Sequence, residues 1–263
     1  MKKYISLLIA GLLVGITTNI GHPITPYYIN QLGLDKIVFG YFFAAMSLGM
    51  LIFAPIWGAL GDAKGRKWIL IICLVFYGVG QILFGVLNNQ YLIIAARLFS
   101  GIFSGGILVS FLSYMTRSKD LSKYNGPRLY ATFISLQLVG TSLGSFIGGA
   151  LGEVFNPNYH YVFFIQALSM LVFALYVLIL MNFKDEEKLN IRSINPLKSL
   201  NDIKLLPISL VIFLFVIAVI NISFTDVSKY LDVYFSDSGY GSVKLGTVNL
   251  IVGCLTLLVN LLF

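Results

Sequence analysis

The chain has 263 residues, 58% apolar and only 11% charged, where an ordinary soluble domain is about 25% charged. That excludes water as the main solvent of the fold. The net charge of +7 has to be located along the chain before it can be read as affinity for a polyanion.

Crossing about 30 Å of hydrocarbon takes about 20 apolar residues in a helix. Eight segments meet that demand, the last one weakly: 4–30, 38–58, 68–87, 91–113, 128–152, 159–182, 205–230 and 243–263. The first follows Met1-Lys2-Lys3, as in a secretory signal, but no small-x-small cleavage site follows, and the segment reads as an uncleaved helix. The longest polar interruption, Phe183 to Lys204, carries a Lys-Asp-Glu-Glu-Lys run and Pro196 and is too short to bury a core. The expected organisation is an all-α membrane protein: a six-helix bundle over 1–182, a cytoplasmic loop over 183–204, and two helices of a second bundle over 205–263, where the chain stops inside a span.

With the amino terminus placed in the cytoplasm, the inner side collects Lys2, Lys3, Lys64, Arg66, Lys67, Arg117, Lys119, Lys123 and Arg128. The loop after the sixth span adds Lys184, Lys188, Arg192, Lys198 and Lys204. Lys36, Lys229 and Lys244 fall outside, and Arg97 lies within a span. This positive-inside bias accounts for the net charge without nucleic acid and points to a multi-pass protein of the plasma membrane.

Residues 56–62, Ile-Trp-Gly-Ala-Leu-Gly-Asp, return 91 positions later as Ile-Gly-Gly-Ala-Leu-Gly-Glu over 147–153. Gly11 and Gly15 are echoed by Gly101 and Gly105. Because the copies close successive spans on opposite sides, they suggest an inverted repeat of spans one to three in spans four to six. Shared packing needs of small residues are the alternative.

Four stretches resemble, in order, the signatures of the major facilitator superfamily, above all its drug/proton antiporter branch. Gly58-Ala59-Leu60-Gly61-Asp62-Ala63-Lys64-Gly65-Arg66-Lys67 resembles the signature between the second and third helices, with Ala63 where the family commonly has arginine. Its glycines permit a tight turn, and its charges suit a latch that forms in one conformation and breaks in another. Arg97-Leu98-Phe99-Ser100-Gly101 is similar to the family's buried arginine followed by glycine. A charge there should face a cavity or partner, or else snorkel to the outer interface. Gly140-x-x-x-Gly144-Ser145-x-x-Gly148-Gly149 resembles the antiporter glycine motif, with Ser145 in place of its proline. Gly21-His22-Pro23-Ile24-Thr25-Pro26 is similar to the Pro-x-x-Pro stretch that bends the first helix toward the cavity.

The resemblance implies twelve helices in two rocking halves, of which this chain carries the first half and two helices of the second. Helices needed for a complete transporter would then be missing. It also implies secondary active transport of amphipathic small molecules or drugs, coupled to protons. A facilitator for a nutrient or metabolite, and a non-transporting remnant or assembly subunit, are the alternatives.

No carboxylate lies within the first six spans, so proton coupling falls to His22, whose ordinary pKa is about 6.5, or to Asp226 late in the seventh. His22 could equally hydrogen-bond at the outer interface, and Asp226 sits near the outer surface on the same count. Asn19, Gln137, Gln166 and Asn221 could line a cavity with walls from Tyr27, Tyr114 or Phe133, or bond helices together. Cys73 and Cys254 read as packing residues, and no metal-ligand spacing, nucleophile with its base, or phosphate loop is present. An enzyme, a cofactor or an ATP-driven pump is not expected.

Overall fold

Lipid offers backbone N–H and C=O groups no partner, so each long apolar run closes its hydrogen bonds within itself as a helix. In the computed structural model, residues 2–117, 121, 125–181 and 206–262 are described. They form α1 (Lys2–Asn19), α2 (Thr25–Gln31), α3 (Ile37–Lys64), α4 (Arg66–Val86), α5 (Gln90–Arg117), α6 (Gly126–Val154), α7 (His160–Leu180), α8 (Ile208–Asp237) and α9 (Ser242–Leu262). Among the described residues there is no strand. Six helices, α3 to α8, are long and apolar enough to cross a membrane, and shorter apolar stretches run over Tyr4–Asn19 and Ser242–Leu258. The protein is an all-α, multi-pass membrane protein. The expected loop over 183–204 lies outside the described residues.

The second span, expected over 38–58, runs on to Lys64, so that Gly58–Lys64, read as loop, is the last part of α3; two further spans differ from those found. The first, 4–30, is broken rather than bent: α1 stops at Asn19, and α2 restarts at Thr25 with Pro26 in its first turn. Pro23 and Pro26 have no N–H to continue the ladder. The chain instead turns through His22, whose N–H reaches Asn19 O while its own carbonyl accepts from Thr25 N, both at 3.2 Å. The seventh span, expected to end at 230, continues to Asp237. Its last two turns keep an apolar face despite Lys229, Asp232 and Asp237, and Val233 on that face is buried.

The helix pairings carry the exchange symmetry that the repeat implies. α1 packs chiefly on α6, α3 on α5, and α4 on α5 and α7, while α9 lies against the other side of α6. Swapping the first three spans for the next three turns the α1–α6 pair into α5–α3 and leaves α4–α7 unchanged, as an inverted 3+3 repeat requires. Two larger apolar clusters and a small one of Ile20, Ile24 and Val162 hold the bundle. One joins Leu7, Leu70, Phe111, Phe133 and Phe173 toward the basic end, and the other joins Tyr28, Phe39, Phe42, Phe84 and Phe163 toward the opposite end. α8 meets the six-span bundle near its carboxyl end only, and nearly all of its side chains from Ile208 to Ile222 are exposed.

Candidate functional site

Between the two clusters lies a cavity of about 310 Å³, lined by side chains from α1 to α8. Its walls are Val14, Phe42, Phe43, Met46, Met50, Ile107 and Leu108, and its polar groups include His22, Gln81, Arg97, Gln137, Gln166 and Lys229. A small set of polar groups in an apolar, pre-formed hollow of this size is how proteins hold small molecules.

His22 sits in the break between α1 and α2. Its Nδ1 is 3.2 Å from the Asp232 carboxylate, and its Nε2 is hydrogen-bonded to the Lys229 ammonium. A neutral ring protonated on Nδ1 satisfies both, donating to Asp232 and accepting from Lys229. Phe43 shields the group, 5.5 Å from the imidazole and 5.0 Å from the Lys229 nitrogen. Asp232 is only 4% exposed. A second hollow of about 290 Å³ touches the same three residues from the side of Ser145 and Asn249.

Arg97 does not snorkel. It is 9% exposed and lines the cavity, with its guanidinium carbon 3.5 Å above the Phe84 ring. Nη1 donates to Gln81 Oε1 and Nη2 to Thr25 Oγ1, both over a long 3.4 Å. No carboxylate lies within ion-pair distance of it among the described residues. Gly101, one turn on, lets α5 press against α3, where a Cβ would come 2.1 Å from Met46 O.

The loop signature lies at the basic end, away from the cavity. Gly65 alone separates α3 from α4, at φ 105°, in the left-handed region that glycine tolerates. Arg66 Nη2 donates to Asp62 Oδ1 at 2.9 Å, and Arg66 Nε donates to Ser113 Oγ on α5 at 2.6 Å. Lys67 reaches Leu178 O on α7 at 2.8 Å. Leu60 packs on the core, and Gly58 faces Val109. The signature therefore joins the second, third, fourth and sixth spans.

The glycine series of α6 is a helix seam. A Cβ at Gly140, Gly144 or Gly148 would meet Leu12 O, Ile16 O or Ile20 O of the first span at 2.2, 2.5 or 1.8 Å, and one at Gly149 would meet Ser242 O of α9 at 2.5 Å. In place of the motif's proline, Ser145 is buried and accepts a hydrogen bond from Asn19 Nδ2, which also donates to Thr141 O at 3.0 Å.

Several expected lining residues lie elsewhere. Asn19, Gln137 and Gln166 do face the cavity, but Asn221 is exposed and bonds back to Ile217 O. Tyr114 and Phe133 belong to the core, and Tyr27 points away to donate to Tyr240 O at 2.7 Å. Phe42, Phe43 and Tyr77 form the aromatic wall instead. Cys73 is buried as a packing residue should be, whereas Cys254 is exposed. The side chain of Asp226 lies outside the described residues. Lys229 and Asp232 were missed, Lys229 because it was counted as an outer topology residue, and Asp232 because its helix was ended at 230, two residues short of it. Their spacing was the available signal, since Asp226, Lys229 and Asp232 stand three apart and share one helix face.

Further contacts join α8 to the α2 end of the bundle: Asn30 Nδ2 of α2 donates to Ser236 Oγ at 2.9 Å, and Lys36, just before α3, pairs with Asp237 at 2.7 Å.

An inverted-repeat helical bundle around a central, mixed-polarity cavity defines a membrane transporter fold. The chain belongs to the Major Facilitator Superfamily, whose family model matches residues 7–263. Multidrug resistance protein 1 of Bacillus subtilis is 31% identical over 179 residues, covering 66% of this chain and 43% of that protein. Quinolone resistance protein NorA of Staphylococcus aureus is 27% identical over 159 residues, covering 60% and 40%. The chain spans less than half the length of these curated relatives. Among solved structures, the human organic anion transporter MFSD10 (TETRAN) matches with a TM-score of 0.62 at 16% identity, covering 98% of this chain and 71% of that one. The nucleoside transporter NupG matches with a TM-score of 0.61 at 13% identity, covering 69% and 45%. At these identities the structural matches speak for the fold alone.

Proposed function

We propose that this chain forms the first half, and the opening of the second, of a secondary active transporter that expels amphipathic small molecules by alternating access, driven by protons. The amino terminus and the Asp62–Lys67 end face the cytoplasm of a cell bounded by the plasma membrane, as the distribution of basic residues favours. Residues 1–182 act as one rocking unit, and α8 with α9 belong to the other.

The observation that carries the reading is the His22–Lys229–Asp232 group beside the cavity. It joins the first span to the seventh, so loading or removing a proton changes the attraction between the two units at the point where they meet. The contacts Asn30–Ser236 and Lys36–Asp237 belong to the same closed end. The Asp62–Arg66–Ser113 network belongs to the opposite end and suits a latch for the reverse state. The resistance proteins of Bacillus subtilis and Staphylococcus aureus favour drugs over nutrients as cargo.

The test is efflux of a fluorescent lipophilic dye from cells expressing the full-length protein, with the proton gradient intact and collapsed. Gradient-dependent efflux that is lost in His22→Gln and in Asp232→Asn is the expected result. Efflux that ignores the gradient, or that both variants preserve, removes proton coupling through this group. No efflux under either condition removes the efflux reading itself.

A further inference from the structure

We infer that the cavity takes solutes bearing an anionic group, a carboxylate being the simplest, which docks against Arg97 and Gln81 while the apolar body lies among Phe42, Phe43, Met46 and Met50. The inference rests on the transport reading and names its class of cargo.

The argument begins with charge. Isolating a guanidinium from water is costly, and buried charges are normally paired. Of the two cations lining the cavity, Lys229 is balanced by Asp232 through His22. Arg97 has no such partner among the described residues: its neighbours are the neutral Gln81 and Thr25 at 3.4 Å and the face of Phe84. A ring face offsets part of a cation's charge and leaves the in-plane N–H groups still directed at acceptors.

The second observation is the orientation of Gln81. Arg97 can only donate, so the Gln81 carbonyl oxygen must face it and the Gln81 amide nitrogen must point away. That nitrogen is buried without a partner, and the side chain is 1% exposed. Thr25 brings no negative charge to Arg97: its hydroxyl donates to Gly21 O at 2.9 Å and accepts from Arg97 as a neutral oxygen. One unpartnered donor thus stands beside the uncancelled cation in the cavity wall, which the unpartnered oxygens of Gln137 and Gln166 also line. A carboxylate offers two oxygens in the plane that a guanidinium fork matches, and hydrogen bonds of this charge-assisted kind are about twice as strong as neutral ones. Buried donors also discriminate, because a solute lacking the acceptor leaves them unpaired.

The test compares a carboxylate-bearing rhodamine with its methyl ester, two dyes of one shape differing in a single charge. Binding is followed by fluorescence anisotropy on the full-length protein in lipid nanodiscs. We expect the acid to bind roughly tenfold more tightly or better, on the order expected for a charge-assisted bond. In Arg97→Gln that preference falls to about twofold or less, while affinity for the ester stays within about threefold and so reports an intact cavity. Should Arg97→Gln fail to fold, Gln81→Glu places a carboxylate beside Arg97 and cancels its charge, and it must weaken acid binding selectively. Equal binding of acid and ester by the unmodified protein overturns the inference and leaves the transport reading standing. So does a preference that survives either substitution. If neither dye binds or is expelled, the transport reading fails and the inference falls with it.

Discussion

Replacing Gly148 by alanine tests whether the α6 seam holds the bundle together. A Cβ there would lie 1.8 Å from Ile20 O, whereas a carbon meets a carbonyl oxygen comfortably at about 3.3 Å. The two backbones must therefore part by roughly 1.5 Å at this crossing. Helices in lipid gain little from hydrophobic association and depend on close packing, so the separation acts directly on stability. Forcing a methyl into a filled seam costs about 1–3 kcal/mol. The same shift stretches the Asn19 bonds to Thr141 O and Ser145, each worth about 0.5–1.5 kcal/mol. The total is on the order of 2–6 kcal/mol, or roughly 4–24 °C in melting temperature by the usual scaling. The assay is thermal unfolding of purified protein in mild detergent, followed by circular dichroism. Gly126→Ala is the control, since a Cβ at that helix start meets nothing within 4 Å. If Gly148→Ala melts with Gly126→Ala, the seam is not the close-packed contact described.

Two further outcomes follow from the ends of the bundle. Asp62→Asn removes the charge that Arg66 grips between α3 and α5, and it is expected to slow transport by the full-length protein several-fold with little change in melting temperature; unchanged transport rates would remove the latch. Cysteines replacing Asn30 and Ser236 are expected to cross-link under mild oxidation and to arrest efflux until reduced, because their side chains now meet at 2.9 Å. Efflux that continues in the cross-linked protein would mean that this end need not open.

The long helices were legible because lipid reduces the structural choices to one, and a run such as residues 160–180 can do little else than cross as a helix. The inverted repeat was legible for a related reason. Two helices can approach closely only where side chains are absent, so Gly49 on α3 and Gly140 on α6 mark equivalent crossings, 91 positions apart as in the sequence repeat. Less accessible was the distinction between a kink and a break at Pro23. Both follow from a missing N–H, and what decides between them is whether another group takes up the freed carbonyls. Thr25 does so here for both Gly21 and His22.

The site itself was half legible, and the missing half was an error about where a helix ends. Charged residues near a span's edge usually belong to water, and on that rule Lys229 counts as an outer charge and the span ends at 230, short of Asp232. The rule assumes that each charge finds solvent separately. In α8 they stand three apart on one face and meet His22 together, so an ammonium, an imidazole and a carboxylate satisfy one another and the helix continues to Asp237. Arg97 is the contrasting case. It lies deeper, it was recognised at once, and it has no carboxylate among the described residues. Charges that cancel locally serve to join two helices, whereas a buried charge left over within a cavity wall is available to a solute that enters the cavity. For that reason Arg97, rather than the more conspicuous triad, is where the choice of solute should be sought.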